Sequence, residues 1–277
     1  GETAYIKDVS IVEVTDATNI PRIDYTTGEG VVLLEPQSTN LVPYSEDFSQ
    51  SYWSKTRTTI DLNYTLSPSG NLNASLLKET ATSGSHALER QISLTAGGNT
   101  ISFFIKKYTR RYVQAGLFNS GQNYVIVDLD TNLIVNTTGG VVSSEIKIIG
   151  NGWVKVSVSI LATASTSYPF IGTAISSTDF SFMGNVNEGV YVWGAQLEAL
   201  PYATSYIPTS GAIATRLADS VTGAGDATTF NSTEGVLYAE MAALGDTGVF
   251  EVVSLSDGGL SEVVGFVYRN TTNGFTA

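Results

Sequence analysis

A chain of 277 residues is long enough for one large or two ordinary domains with a well-buried core. Its formal charge of −12 repels phosphate backbones and anionic membrane surfaces, and the lack of cysteine excludes disulfides and thiolate metal sites. With 42% hydrophobic but only 14% charged residues, 27 Gly and 14 Tyr, the composition favours short strands between polar turns. No apolar run reaches the ~18 residues of a membrane-spanning helix.

Residues 1–14 read as a strand, with Ile6, Val9, Ile11, Val12 and Val14 in one short apolar stretch. The basic-then-apolar layout of a signal peptide is missing. The expectation is that this segment closes an upstream β-sandwich and that the natural chain starts earlier. Residues 15–40 are rich in turn chemistry, at Asn19-Ile20-Pro21 and again at Thr27-Gly28-Glu29-Gly30. They read as an extended linker holding one small hairpin.

Between 41 and 207, strand candidates recur at 74–79, 86–94, 100–107, 112–118, 124–129, 145–149, 153–161, 168–174 and 189–198. Turn sequences such as Ser67-Pro68-Ser69-Gly70 and Gly150-Asn151-Gly152 separate them, and no window shows a helical period. Strands at this spacing predict an all-β chain whose centre is a jelly-roll β-sandwich. Residues 208–230 read as a second linker. Residues 231–277 offer strands at 235–242, 249–254 and 262–269 and a stub at Phe275, with Asp257-Gly258-Gly259 as a hairpin turn. Four strands do not close a sandwich, so the segment reads as the truncated start of one.

Catalytic chemistry has few candidates. Nucleophilic catalysis by serine needs a base such as histidine, and the one histidine, His86, reads as an ordinary polar strand residue. No paired-histidine or EF-hand pattern occurs, so neither a metal nor a cofactor is expected. Carboxylates such as Glu79, Glu89, Asp128 and Glu188 are available to a glycosidase, but nothing in the sequence pairs them. The chain reads as non-enzymatic.

Strand alternation gives a more specific expectation. In the strand from Trp153, the residues Val154, Val156, Val158 and Ile160 face the core, and Trp153, Lys155, Ser157 and Ser159 face away. Likewise Tyr112, Gln114 and Phe118 oppose Val113, Ala115 and Leu117, and Tyr191, Trp193 and Ala195 oppose Val190, Val192 and Gln196. If the outward faces share one sheet, Tyr112, Gln114, Trp153, Lys155, Tyr191 and Trp193 make a sugar-binding platform, with Arg90, Arg110 and Arg111 nearby. The competing reading packs Trp153 and Trp193 beneath a loop or the linker. Trp53 reads as a buried anchor of the first strand. The basic cluster Lys106-Lys107-Tyr108-Thr109-Arg110-Arg111 reads as a solvated turn or as a contact for an acidic polysaccharide or a neighbouring subunit.

Three motifs occur in order: VVLLEPQSTNLVPYSEDFSQSYWSK, NGWVKVSVSILA and GVYVWGAQLEALPYATSYIPTSGAIATRLAD. Together they resemble a module of bacteriophage tail-fibre, tail-spike and head-fibre proteins, itself similar to jelly-roll carbohydrate-binding modules. The resemblance covers residues 31–220, and the stretch from TEGVLYAEM is similar to the opening of a concanavalin or laminin-G-like sandwich. It implies a structural role in the extracellular virion, a homotrimer among other virion subunits, and contact with a host cell-surface glycan. Many such modules hold calcium through an acidic residue of the closing strand. Here that strand reads Trp193-Gly194-Ala195-Gln196-Leu197, without the carboxylate, whereas Asp8 fits the pattern in the first segment. Two other readings stand beside glycan attachment. One is a virion spacer or decoration, and the other an accessory region of a secreted polysaccharide-degrading enzyme.

Overall fold

The structure is a computed structural model and describes residues 22–24, 28, 30–219, 251–256, 263–269 and 274–276. The strands read at 1–14 and 235–242 and the turn read at 257–259 lie outside the described residues. The chain divides into two units, Gly1–Gln37 with Leu217–Ser232, and Ser38–Arg216 with Thr233–Ala277.

In the first unit β1 (Arg22–Asp24) pairs antiparallel with β2 (Val31–Leu33), the small hairpin expected there. Its two chain segments are tied by reciprocal bonds. The Asp219 N–H donates to the Glu35 carbonyl at 2.9 Å, and the Glu35 N–H donates to the Asp219 carboxylate at 2.9 Å.

The second unit opens with β3 (Ser38–Asn40), β4 (Ser54–Thr56), β5 (Thr58–Thr65) and β6 (Ala74–Glu79). There follow β7 (Ser83–Ser85), β8 (Ala87–Glu89), β9 (Ile92–Ser93), β10 (Gly97–Lys107), β11 (Tyr112–Phe118) and β12 (Gln122–Asp128). Next come β13 (Leu133–Thr138), β14 (Val141–Gly150), β15 (Trp153–Ala162), β16 (Thr166–Ala174), β17 (Ser181–Met183), β18 (Gly189–Glu198) and β19 (Ala214–Arg216). Farther on, β20 (Glu251–Ser256), β21 (Val263–Arg269) and β22 (Gly274–Thr276) form a three-stranded antiparallel sheet.

Two antiparallel sheets make the sandwich. One runs β14-β15-β10-β18-β6-β5; the other runs β13-β12-β11-β16-β8-β4, with β9 added beside β16. The core between them follows from the alternation. Ile101, Phe103 and Ile105 of β10 and Val154, Val156, Val158 and Ile160 of β15 meet Val113, Ala115 and Leu117 of β11 and Val125 and Val127 of β12. Burial of each large apolar side chain contributes ~1.5–3 kcal/mol. Trp53 is buried as expected, edge-on to Phe48 with ring centroids 5.4 Å apart, its indole N–H donating to the Tyr44 carbonyl at 2.9 Å.

Three elements match the sequence reading end to end: β6, β11 and β18. Paired strands also occur in both segments read as linkers, as a separate two-stranded sheet. β3 pairs with β19, placing Thr39 opposite Thr215 with their hydroxyls 2.7 Å apart, so both strands fall where linkers were expected.

Candidate functional site

The six residues expected to form one platform divide between two sheets. Trp153 and Lys155 on β15 and Tyr191 and Trp193 on β18 project from the outer face of the six-stranded sheet. Tyr112 and Gln114 lie on β11, in the opposite sheet, with the core between the two sets. A single six-residue platform is therefore geometrically impossible. Sequence alternation assigns a residue to core or solvent but does not say which sheet's outer face it occupies.

A bulge alters β18 as well. Its pairing with β10 shifts between Ser102 and Phe104, and Gly194 there has φ 63°. Beyond the bulge the alternation inverts, sending Ala195 and Leu197 into the core. Ala195 thus faces inward, opposite to the sequence reading. Gln196 moves to the outer face, where its side chain meets the segment that follows β18.

That segment, residues 199–211, covers much of the outer face. Tyr206 packs 4.6 Å from Trp193 and 5.6 Å from Phe104, ring centroid to centroid. The Ile207 N–H donates to Gln196 Oε1 at 2.6 Å, and the Thr204 N–H donates to Glu198 Oε2 at 3.0 Å. Lys155 Nζ donates to the Thr204 carbonyl at 2.7 Å. Trp153 and Trp193 are left 2% and 4% exposed. Trp153 donates its indole N–H to the Leu66 carbonyl at 3.1 Å, so the β5–β6 loop caps it. Both indoles are covered, in line with the competing reading, because large rings gain more from packing than from solvent.

The other half of the face stays open and carries three tyrosines. Tyr64 lies 6.2 Å from Tyr108 and 5.8 Å from Tyr191, and Tyr108 lies 5.3 Å from Tyr191. Tyr64 is 47% exposed and Tyr108 39%, while Tyr191 is half-buried. A hydrogen bond with Tyr108 holds the Tyr64 phenol above its ordinary range. Burial does the same for Tyr191. Beside the rings Lys78 Nζ sits 2.6 Å from Asp61, a bond that raises the lysine above its usual range. Lys106 stands in register between Trp153 and Tyr191. It also borders a cleft of about 390 Å³ whose walls include Leu66, Pro68, Ile149, Asn151 and Trp153.

Of these tyrosines the sequence reading chose only Tyr191. Tyr64 lies on a strand that was not recognised, and Tyr108 was read as one residue of the basic cluster. No short-range pattern links the three positions. They meet because β5, β18 and the end of β10 converge on one face.

Most cations of the basic cluster are paired with the chain's own carboxylates. Arg110 forks onto the buried Glu79 at 2.6 and 2.8 Å, and Arg111 onto the buried Asp128 at 2.8 and 2.6 Å. Lys107 reaches Asp130 at 2.5 Å. The turn is solvated as expected, with Lys107, Tyr108, Thr109 and Arg111 exposed, but three of its cations are held by carboxylates. Burial pushes the Glu79 carboxyl up, but bonds from Arg110 and the Asn185 N–H overcome it and hold the group below its usual range. The Arg111 bond brings Asp128 down to about 2. Arg90 is engaged too, donating to the Tyr52 carbonyl at 3.0 Å and lying over the Tyr52 ring.

His86 is fully buried, with Nδ1 2.8 Å from the Arg57 carbonyl and Nε2 3.3 Å from that of Phe182. On the other sheet, Tyr112 is half-buried with Arg111 above its ring, and Gln114 is buried with Nε2 3.4 Å from Ser85 Oγ. Among the described residues no group of three or more Asp, Glu or His side chains converges as a metal site.

No protein-family model matches the chain, and neither does any curated protein. Among solved structures, it is similar to the enzymatically active domain of tailspike protein 4 from bacteriophage CBA120. That match has 12% identity and a TM-score of 0.32, covering 57% of this chain and 21% of the tailspike domain. It is also similar to a provisionally named sugar binding protein from Bacteroides thetaiotaomicron, with 14% identity and a TM-score of 0.31 over 58% of this chain and 95% of that one.

Proposed function

We propose that this chain is a non-enzymatic part of a phage fibre or spike that attaches the virion to a host-surface glycan, working as a homotrimer beside other virion subunits. The observation that carries the reading is the open cluster of Tyr64, Tyr108 and Tyr191. A tyrosine ring offers an apolar face to the C–H side of a pyranose and keeps a hydroxyl for hydrogen bonding. Lys78 and Asp61 at the margin supply a donor and acceptors for sugar hydroxyls. Such a mix of aromatic surface with few polar groups suits binding and orientation of a ligand.

The tyrosines are better probes than the tryptophans, since truncating a buried tryptophan costs ~3–5 kcal/mol of stability. Tyr64→Ala and Tyr108→Ala lose ring contacts worth ~0.5–1.5 kcal/mol per pair but leave the sandwich core intact, so both should remain folded. On an array of bacterial surface polysaccharides each is expected to weaken binding about tenfold, ~1.4 kcal/mol. Variants that bind as tightly as the parent would remove the site.

A different observation favours a spacer that touches only other subunits. Leu133, Val135, Val142 and Ile148 are exposed on β13 and β14, which end the two sheets. That reading predicts association at this edge and no glycan binding at all.

A further inference from the structure

The charges around the tyrosines narrow the class of glycan, an inference that rests on the glycan reading above. Between Lys106 and Arg111 the chain carries four cations, and three are matched to carboxylates: Lys107 to Asp130, Arg110 to Glu79 and Arg111 to Asp128. Lys106 makes no ion pair with any described residue. It is half-buried, held in register between Trp153 and Tyr191, and its stem runs beside Gly152. A Cβ added to that glycine would stand 3.5 Å from Lys106 Cε. The cleft that Lys106 borders contains no acidic side chain. The carboxylate beside the tyrosines, Asp61, is already bonded to Lys78 at 2.6 Å. A chain of net charge −12 thus presents, in a cleft next to the strand position that pairs with Tyr191, an ammonium that no described carboxylate pairs.

We propose that the ligand is an anionic polysaccharide, with sugar rings lying on the tyrosines and a carboxylate or sulfate seated at Lys106 in the cleft. An anion seated there gains a charge-assisted hydrogen bond from an ammonium that no described carboxylate already holds. The protein's overall negative field opposes a polyanion at long range. Capture therefore depends on contact at this one locus, and removal of one charge has a large effect.

The test uses the full chain and its Lys106→Gln and Tyr191→Ala variants, with affinity electrophoresis in gels carrying one polymer each. Polygalacturonate, alginate and hyaluronate supply carboxylates, and dextran sulfate supplies sulfates. Methyl-esterified polygalacturonate and dextran are the neutral counterparts. The expected result is retardation by at least one anionic polymer, weakened tenfold or more by either substitution and absent with its neutral counterpart. Carboxylate and sulfate gels then tell the two anion types apart. Retardation by neutral polymers, or anionic binding untouched by Lys106→Gln, overturns the anionic assignment while leaving glycan binding in place. No retardation by any polymer overturns both.

Discussion

Gly194 has φ 63°, and a Cβ placed on it would lie 2.7 Å from Phe104 Cδ2 and 3.2 Å from Tyr206 Cε2. Any side chain there meets two obstacles, a left-handed backbone and an aromatic cluster that already fills the space. Gly211, with φ 94° and nothing nearer than Tyr44 Oη at 4.0 Å, meets only the first. Gly194→Ala is therefore expected to cost roughly 3 kcal/mol or more, combining ~1–2 for the backbone with the cost of overpacking. Gly211→Ala should lose only about 1–2 kcal/mol. Urea midpoints with unchanged slopes would measure the difference, and equal losses would contradict this account of the bulge. Alternation showed that Tyr191 and Trp193 point away from the core. It did not show that the next residues reverse, because a bulge belongs to the pairing of two strands and leaves no period in either one.

At the scale of elements, the segment after β18 is held by a side chain far away in sequence. Asn40 on β3 donates to the Ala195 carbonyl at 3.1 Å and to the Ile207 carbonyl at 2.9 Å. Its Oδ1 accepts from the Val42 and Leu197 N–H groups, both at 3.1 Å. All four bonds are to backbone groups. Asn40→Ala removes their partner at once and should destabilise the fold by roughly 3 kcal/mol or more. Hydrogen exchange should show lost protection first in residues 195–207, and uniform loss across the sandwich would contradict the role given to Asn40. Strands such as β11 and β15 were legible because their core-facing residues alternate, Val113, Ala115 and Leu117 in one and Val154, Val156, Val158 and Ile160 in the other. β5 was not, since its pairing breaks between Asp61 and Thr65 and Asn63 adopts φ 52° within it. β13 escaped notice because it ends its sheet and leaves Leu133 and Val135 in solvent. The same irregular β5 brings Tyr64 to the open face, so the unread strand and the unread Tyr64 share one cause.

For the whole molecule, a charge of −12 sets both solubility and acid sensitivity. Among the described acidic groups, Asp128 and Glu79 are buried acceptors of forked arginine bonds. Asp128 titrates at about 2 in the folded chain against an ordinary 3.8, because the Arg111 bond stabilises its charged form. A carboxyl whose folded value is depressed adds stability that is complete above its unfolded value and disappears as pH falls through its folded value. For Asp128 that window runs from about pH 4 down to about pH 2. Glu79 is also held below its ordinary 4.5 and adds a loss of the same sign. Asp128→Asn should therefore be less stable than the parent at neutral pH, with the gap closing across that window. Urea unfolding at successive pH values would follow it. A gap that stayed constant to the acid limit would mean that the Asp128 carboxylate is no better stabilised in the folded chain than in the unfolded one, and acid unfolding would then have to come from Glu79 and the general loss of negative charge.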